Sequence, residues 1–442
     1  SYHLADARTT LAEILRAAGY RTGAFLGAFV LDSRFGLDQG FEEYDDRFDA
    51  IAPSLAADFV QRRADEVLRR AGDWIVTRHD TAAPSGETPP WFAWAHLFDP
   101  HEPYDAPERR VSDPYDNEVA FTDAVLGRFF TRLRKAGALD DTLTIVTGDH
   151  GEGRGEHGEV THTLFAYDTT LRVPLILAGP GIPSAVRDVP VSHVDVLPTV
   201  LDLLGQELTS SVDGRSLRVE LDVDRAVPPV YFEALTANLT RNWAPLTGII
   251  ADGWKFIDLP IPELYDLAAD PGETTNLFER ETARARRMAA ALVPLRTRDA
   301  LEPARVPMTD EVEARLRSLG YTVGRAGRPS PDRAYTEADD PKTQLDVHLA
   351  WREVLKRLAT VLIGPGGHEG GLDILATRSG LGCNGMDDYE ATLWLIENTG
   401  AAEERDRLST QPSPIAPMSS HIHYATALNL DNDEDGYIDF VM

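Results

Sequence analysis

Roughly the first two hundred residues alternate between apolar residues at helical spacing and short apolar runs that are typical of strands. Thr10 and Glu13 form a capping-box pattern at the start of a helix, and Gly19 is placed to end it. Further helices are predicted over Ser54–Arg70, Asp116–Lys135 and Asp195–Leu204, and strands over Thr22–Phe29, Trp91–Leu97, Thr142–Thr147 and Val173–Ala178. Strands that alternate with helices favour an α/β fold, in which a mostly parallel sheet carries helices on both faces.

The pattern changes after Val227, where short apolar runs follow one another more closely. Strands are predicted over Val230–Glu233, Gly248–Ile250 and Trp254–Ile257, and a helix over Glu279–Leu295. These elements predict a smaller α+β subdomain at about residues 227–300, at the end of one domain that spans residues 1–300.

The remainder of the chain has a different composition. Residues 301–341 are rich in Pro, Gly and charged side chains, which predicts a linker. A helix is predicted over Thr343–Leu362 and a short one near Tyr389–Glu397. The rest of residues 342–442 is rich in Gly, Pro, Ser and Asn, so we expect an irregular tail of low order.

The most informative chemistry follows the strand predicted at Thr142–Thr147. This apolar run is rich in β-branched residues and stops at Asp149-His150-Gly151, so we expect the carboxylate and imidazole at the carboxyl end of a buried strand. Ligands of open α/β sheets bind at that end. Asp supplies a hard oxygen and His a nitrogen, which predicts half of a metal site. The alternative is an acidic surface loop whose histidines have no joint task.

Five segments in order carry a family resemblance over residues 1 to about 295. They are TLAEILRAAGYRTGAFLGAFVLDSRFGLDQGFEEYDD from Thr10, HLFDPHEPY from His96, TGDHGEGRGEHGEVTHTLFAYDTTLRVP from Thr147, SHVDVLPTVLDLLG from Ser192 and ELYDLAADPGETTNL from Glu263. Together they resemble the sulfatases of the alkaline phosphatase superfamily. The resemblance implies an alkaline-phosphatase-like α/β fold and a metal-dependent hydrolase of sulfate esters.

The resemblance also implies catalytic and metal-binding roles. His101, in the H-x-P-Y segment, matches the family's sulfate-contacting histidine. His162 falls where relatives carry a lysine or histidine that donates to the ester and protonates the leaving group. Asp149 and His150 match metal ligands. Calcium is the expected divalent cation, with manganese, zinc or iron as alternatives, because imidazole shifts the preference away from calcium.

Two further histidines are candidate substrate contacts. His96 either lines the pocket or is a core histidine bonded to the backbone. His157 either lies around the site or is a solvated loop histidine. Glu152 and Glu156 are expected to face solvent, with the alternative that one of them orients a histidine.

One departure from the family pattern limits the activity that the resemblance implies. The family's paired metal-binding aspartates near the amino terminus and its Cys/Ser-x-Pro-x-Arg nucleophile motif are not found in this sequence, and the lone Cys383 has no such context. Ser1 to Leu4 resemble the stretch just before the TLAE helix, so we expect a sulfatase chain that lacks its first strand and nucleophile and is inactive alone.

Two other functions remain open. A phosphodiesterase or phosphonate monoester hydrolase of the same superfamily would use a similar Asp-His pair. An inactive sulfatase-like protein would bind an anion or calcium without turnover.

Charge and composition restrict the partners. The 442 residues carry a net charge of −29, which would repel nucleic acid, and a small-molecule or glycan sulfate ester is the expected ligand. No apolar run is long enough for a transmembrane segment. A single cysteine allows no internal disulfide.

The end of the chain carries a second metal motif. Asp431, Asp433, Asp435 and Asp439 alternate as in a calcium loop, with Gly436 at the sixth position. A solvated acidic tail is the alternative. A real calcium loop at residues 431–439 would favour an extracytoplasmic location, either periplasmic or secreted.

Overall fold

The computed structural model describes most of the first three hundred residues and parts of the remainder. The described ranges are 2–48, 61–80, 89–102, 104–207, 212–218, 227–296, 304–305, 333–350 and 352, with the strand backbones 372–379, 390–397 and 414–419. The chain divides into two compact units, one formed by residues 1–52 and 57–341 and the other by residues 53–56 and 342–442. In the described residues, no helix is both long enough and apolar enough to cross a membrane.

The first unit contains strands and helices that alternate as the sequence pattern predicts. In chain order they are β1 (Tyr2–His3), α1 (Leu11–Ala17), β2 (Arg21–Phe25), β3 (Glu43–Asp45), α2 (Ala64–Asp80), β4 (Trp91–Ala95), α3 (Pro114–Lys135), β5 (Thr144–Thr147), α4 (Asp168–Leu171), β6 (Leu175–Ala178), α5 (Val196–Leu203), β7 (Val230–Ala234), α6 (Thr236–Arg241), β8 (Leu246–Ala251), β9 (Trp254–Asp258), β10 (Glu263–Asp266), α7 (Thr282–Arg296) and β11 (Ala304–Arg305).

A three-stranded parallel sheet in the order β3-β2-β4 forms the centre of the first part of this unit. Helices α2 and α3 pack against it through a buried cluster that includes Phe25, Trp74 and Leu133. Gly23 of β2 lies directly beneath the Trp74 ring, where a Cβ atom would approach the ring carbons to 2.9 Å. The α/β fold class is therefore confirmed.

Helix α2 does not follow the prediction, which placed a helix over Ser54–Arg70. The structure describes the helix from Ala64 to Asp80, and residues 49–60 lie outside the described part of the chain. The Asp99 carboxylate accepts the Ala64 N–H at 2.8 Å, so a residue 35 positions away satisfies one of the free donors of the first turn. This contact at the start of the helix is not visible in local spacing, and both the predicted start and the predicted end at Arg70 were wrong.

Strand β5, which leads to Asp149, pairs antiparallel with β6 in a sheet of their own. Its residues are half-buried to exposed, and Ile176 of β6 is 55% exposed. The prediction of a buried strand at this position was wrong. Among the described strands β5 pairs with β6 only, so one of its edges has no neighbouring strand there.

The three short strands predicted after Val227 are β7, β8 and β9, and they join β10 in a four-stranded antiparallel sheet in the order β10-β9-β8-β7. Helix α7 covers it, and Ile249 and Phe256 of the sheet pack with Met288 and Leu292 of the helix. The predicted linker at 301–341 is partly structured. Strand β11 pairs with β1, and the fully buried Asp340 accepts the Ile261 N–H at 2.8 Å.

The second unit contains a three-stranded antiparallel sheet of β12 (Leu372–Ser379), β13 (Glu390–Glu397) and β14 (Pro414–Ser419). The short helix predicted near Tyr389–Glu397 was wrong, because apolar residues occupy both alternating sets of positions in β13 and these eight residues pair in register with β12.

Other expectations for this unit are only partly covered. Helix is present at residues 345–350, inside the predicted Thr343–Leu362 segment. Cys383 and the predicted calcium loop at 431–439 lie outside the described residues.

Candidate active site

The Asp-His-Gly segment emerges from β5 into an exposed position. Asp149 Oδ1 accepts the His150 N–H at 2.9 Å, and the two side chains are 76% and 42% exposed. The Nδ1 atom of His150 lies 2.8 Å from the Gly151 carbonyl oxygen. A carbonyl can only accept, so Nδ1–H donates there and Nε2 is left to meet a ligand.

The loop after Gly151 folds back on itself and returns His162 to His150. The Gly153 N–H donates to the Thr161 carbonyl at 2.6 Å, which closes the loop at its base. Gly151 packs so closely that a Cβ atom would lie 2.2 Å from the Thr169 carbonyl oxygen. The rings of His150 and His162 consequently lie 4.1 Å apart between centroids, although twelve positions separate them.

His162 is held by the carboxylate of Glu152, which was predicted to face solvent. The His162 Nδ1 atom lies 3.1 Å from Glu152 Oε1, and the Glu152 side chain is 5% exposed. The second oxygen, Oε2, accepts the Tyr104 hydroxyl at 2.9 Å. The expectation of a solvent-facing Glu152 was therefore wrong, whereas Glu156 is exposed.

His101 belongs to the segment after β4 and reaches the same place. Its ring centroid lies 5.3 Å from that of His162, and it stacks on Phe98 at 4.0 Å. Its Nδ1 atom lies 2.7 Å from the Glu102 carbonyl oxygen, and its backbone N–H donates to Glu118 Oε2 at 3.0 Å. Burial lowers the pKa of His101, and the neighbouring His162 acts in the same direction.

Electrostatics at Glu118 differ from those of an ordinary surface carboxylate. Glu118 is 5% exposed, and burial together with the nearby Asp99 raises the pKa of its carboxyl group to about 7. The N–H groups of His101 and Asp105 oppose this rise. A carboxyl group that titrates near neutrality therefore holds the His101 segment.

His96 and His157 are placed differently from the three clustered histidines. His96 is half-buried, its Nδ1 atom has no hydrogen-bond partner among the described residues, and burial lowers its pKa while Asp149 opposes the change. His157 stacks on Tyr167 at 3.5 Å and lines a cavity of about 570 Å³. Burial lowers the pKa of His157.

His193 was not among the histidines predicted from the sequence. Its Nε2 atom lies 2.8 Å from the Gly148 carbonyl oxygen and 3.4 Å from Thr147 Oγ1, so it braces the segment that carries Asp149. The only available signal was its position in the SHVDVLPT segment before α5.

Comparison with known proteins gives the family. A sulfatase family model matches residues 3–206, and a model of the carboxyl-terminal region of N-sulphoglucosamine sulphohydrolase matches residues 155–296. Residues 3–206 thus match the sulfatase family, and the two matches together cover residues 3–296. His96, His101, His150 and His162 all lie inside the first of the two matches.

Individual relatives agree with the family. Choline-sulfatase of Rhizobium meliloti (strain 1021) is 35% identical over 176 residues, which are 39% of this chain and 34% of that protein. Arylsulfatase K of Bos taurus is 34% identical over 173 residues, which are 36% of this chain and 31% of that protein. The chain thus spans about a third of the length of these relatives.

A solved structure agrees on the fold. The phosphonate monoester hydrolase of Agrobacterium radiobacter superposes with a TM-score of 0.51 at 21% identity, covering 69% of this chain and 86% of that one. The identity is low, so the match shows a likeness of fold alone.

The sulfatase resemblance implies a metal, and the side chains fit it in part. Asp149 Oδ2 and His150 Nε2 lie 3.7 Å apart, a separation from which both reach one ion through bonds of roughly 2.0–2.5 Å. Within the described ranges, no group of three or more His, Cys, Asp or Glu side chains is arranged to hold a metal. These residues therefore fit half of a metal site.

Proposed function

We propose that this chain forms the ester-binding region of a metal-dependent sulfuric ester hydrolase. The observation that carries the proposal is the clustering of His101, His150 and His162, whose Nδ1 atoms are all engaged by oxygen. Each ring therefore keeps Nε2 for a ligand. When protonated, His101 and His162 donate from Nε2 to anionic oxygens, which suits a sulfuryl group that presents several oxygens at once, whereas neutral His150 offers its Nε2 to a cation.

In this proposal, His101 and His162 bind the sulfuryl oxygens. When an attacking group supplied by other residues bonds to sulfur, the bond between sulfur and the leaving-group oxygen breaks. Protonated His162 would transfer its Nε2 proton to that oxygen, which departs as a neutral alcohol or phenol. Asp149 and His150 would hold the divalent cation, calcium first and manganese or zinc as alternatives. When bound, the cation would supply positive charge to the ester oxygens.

The attacking group is not among the residues assigned here, since the sequence contains no Cys/Ser-x-Pro-x-Arg motif. We therefore expect the chain by itself to bind esters without turning them over.

The remaining histidines are proposed as flanking contacts. His96 would line the ester pocket, which its partnerless Nδ1 atom and its electrostatic interaction with Asp149 favour. His157 would contact only those parts of a larger substrate that enter the cavity beside Tyr167. The substrate class is a small-molecule or glycan sulfate ester, and we propose an extracytoplasmic location.

The test measures binding of inorganic sulfate to the full chain by calorimetry, with calcium and with a chelator. We expect His101→Ala and His162→Ala to weaken binding about tenfold each, because each removes one charge-assisted hydrogen bond. Asp149→Ala should abolish the calcium dependence. His79→Ala, in the last turn of α2, is the matched control and should change nothing.

Two results would overturn the proposal. One is sulfate binding that is unaffected by all three variants. The other is tighter competition by an aryl phosphodiester than by an aryl sulfate, which would move the assignment to phosphoryl substrates.

A further inference from the structure

Three side chains form a hydrogen-bonded chain that ends at the proposed leaving-group acid. The Tyr104 hydroxyl donates to Glu152 Oε2 at 2.9 Å, and Glu152 Oε1 lies 3.1 Å from His162 Nδ1. Tyr104 is 48 positions from Glu152 in sequence, and Glu152 is ten from His162. The chain therefore joins the segment that carries His101 to the loop that carries His162.

The chemistry of the three groups sets the direction of every bond. An ionised carboxylate only accepts, so both neighbours of Glu152 must donate to it. Burial, together with the charge of Glu152, raises the pKa of the Tyr104 hydroxyl, which consequently keeps its proton. His162 then donates from Nδ1, and its Nε2 atom is the one left for the ester.

The backbone at Tyr104 indicates that this position is held against its local preference. Tyr104 adopts a φ of 56°, a left-handed conformation that is uncommon for a residue with a bulky side chain. Its N–H donates to the His101 carbonyl at 3.0 Å, and its ring packs edge-on against Tyr115 at 5.6 Å. The turn thus presents the hydroxyl to Glu152 and the imidazole of His101 to the site.

We propose that Glu152 is a positioning residue that fixes the tautomer and orientation of His162, and that Tyr104 holds Glu152 in place. The inference rests on the proposed function, because it assigns His162 the role of leaving-group acid. Glu152 itself acts through His162. Its buried carboxylate would keep Nε2 directed at the ester, whereas an unrestrained imidazole would sample both tautomers and both ring flips.

The tautomer can be read without any turnover. We would label the histidines of the full chain with 15N, assign His162 by the loss of its signals in His162→Gln, and record imidazole spectra with a chelator at a pH where the ring is neutral. In the wild-type chain we expect the proton on Nδ1. In Glu152→Leu we expect the signals to shift to a mixture dominated by the Nε2–H form, and in Tyr104→Phe to broaden.

Matched variants separate positioning from general damage. Tyr44→Phe removes a hydroxyl that donates to the Leu31 carbonyl at 2.7 Å elsewhere, and should leave the His162 signals unchanged. Glu152→Gln keeps the shape and one acceptor oxygen, so it should restore much of the Nδ1–H population. It also covers the case in which Glu152→Leu does not fold.

The same samples provide a second readout that distinguishes the two proposals. Sulfate affinity should fall about tenfold in Glu152→Leu and recover partly in Glu152→Gln. A wild-type His162 that carries its proton on Nε2, or a tautomer that does not respond to Glu152→Leu, would overturn the positioning role. If His162 shows the expected tautomers but the chain does not bind sulfate, the proposed function is rejected, whereas the hydrogen-bonded chain of Tyr104, Glu152 and His162 is retained.

Discussion

Lys255 shows how a single residue ties two parts of the first unit together. It lies on β9 with none of its surface exposed, and its Nζ atom lies 2.6 Å from both Asp168 and Glu273. Asp168 opens α4, just beyond the loop of the site, and the Glu273 carboxylate accepts its N–H at 2.6 Å. Buried charges of this kind depend on one another, because each loses its hydration on folding.

Removing the charge of Lys255 should lower the stability of the fold. Lys255→Met would leave two carboxylates without their shared partner, and we expect a loss of about 3–5 kcal/mol in the free energy of unfolding. Urea denaturation at pH 7 measures the loss. Lys135→Met, at the exposed end of α3, is the control and should stay within about 0.5 kcal/mol of the wild type. A loss below about 1 kcal/mol for Lys255→Met would contradict the assigned ion pairs.

The raised pKa of Glu118 predicts a pH-dependent stability. Burial raises its pKa in the folded chain to about 7 from an ordinary value of 4.5, so the folded state holds its proton more tightly than the unfolded state does. The contribution of Glu118 to the free energy of unfolding is therefore fully present below pH 4.5 and is lost as the pH rises through 7.

The wild type loses this contribution as the pH rises from 5 to 8, whereas the uncharged Gln has none to lose. The free energy of unfolding of Glu118→Gln relative to that of the wild type should therefore increase from pH 5 to pH 8, by up to roughly 3 kcal/mol. Unfolding free energies at the two pH values measure the gain. Asp123→Asn, on the exposed face of the same helix, is the control variant and is measured at the same two pH values. An equal difference at both pH values for Glu118→Gln would reject the raised pKa.

At the scale of elements, the predictions from periodicity were right where neighbouring residues decide the structure. The capping box of Thr10 and Glu13 forms as predicted, with both reciprocal hydrogen bonds. Helix α3 begins at Pro114 and ends at Lys135, within two residues of its predicted start. The start of α2 and the strand β13 were predicted wrongly, since each depends on a partner far away in sequence.

The contact between Asp99 and α2 can be tested directly. Asp99→Ala removes the acceptor of the Ala64 N–H, and we expect a loss of about 1 kcal/mol in the free energy of unfolding. Asp99→Asn retains an acceptor oxygen, so its loss in the free energy of unfolding should be smaller than that of Asp99→Ala. Chemical denaturation monitored by circular dichroism compares the two. Equal losses would show that the negative charge, rather than the hydrogen bond, stabilises the first turn.

At the scale of the whole molecule, the net charge of −29 opposes the approach of an anionic ester. The clustered histidines and a divalent cation would have to offset it locally, within a Debye length of about 8–10 Å at physiological salt. The association rate of an aryl sulfate should therefore rise with sodium chloride between 10 and 150 mM, since salt screens the repulsion. Stopped-flow binding measures this rate. A rate that falls with salt would indicate a locally positive approach path.

Patterns in the sequence alone predicted the alternation of strands and helices, three short strands after Val227 and the position of Asp149 and His150 just after a strand. Each of these follows from the spacing of neighbouring residues, which local sterics and backbone hydrogen bonding translate directly into structure. The sequence also singled out His101 and His162 through the family resemblance. Their clustering with His150 needed the folded chain.

The groups that hold those histidines are brought to them by the fold. Glu152 is buried because Tyr104 arrives from another loop to bond it, and Glu118 titrates near neutrality because α3 places it beneath the His101 segment. Burial and pKa depend on everything that surrounds a group in space. The side chains in question lie up to 48 positions apart, so no local pattern in the sequence could report their contacts.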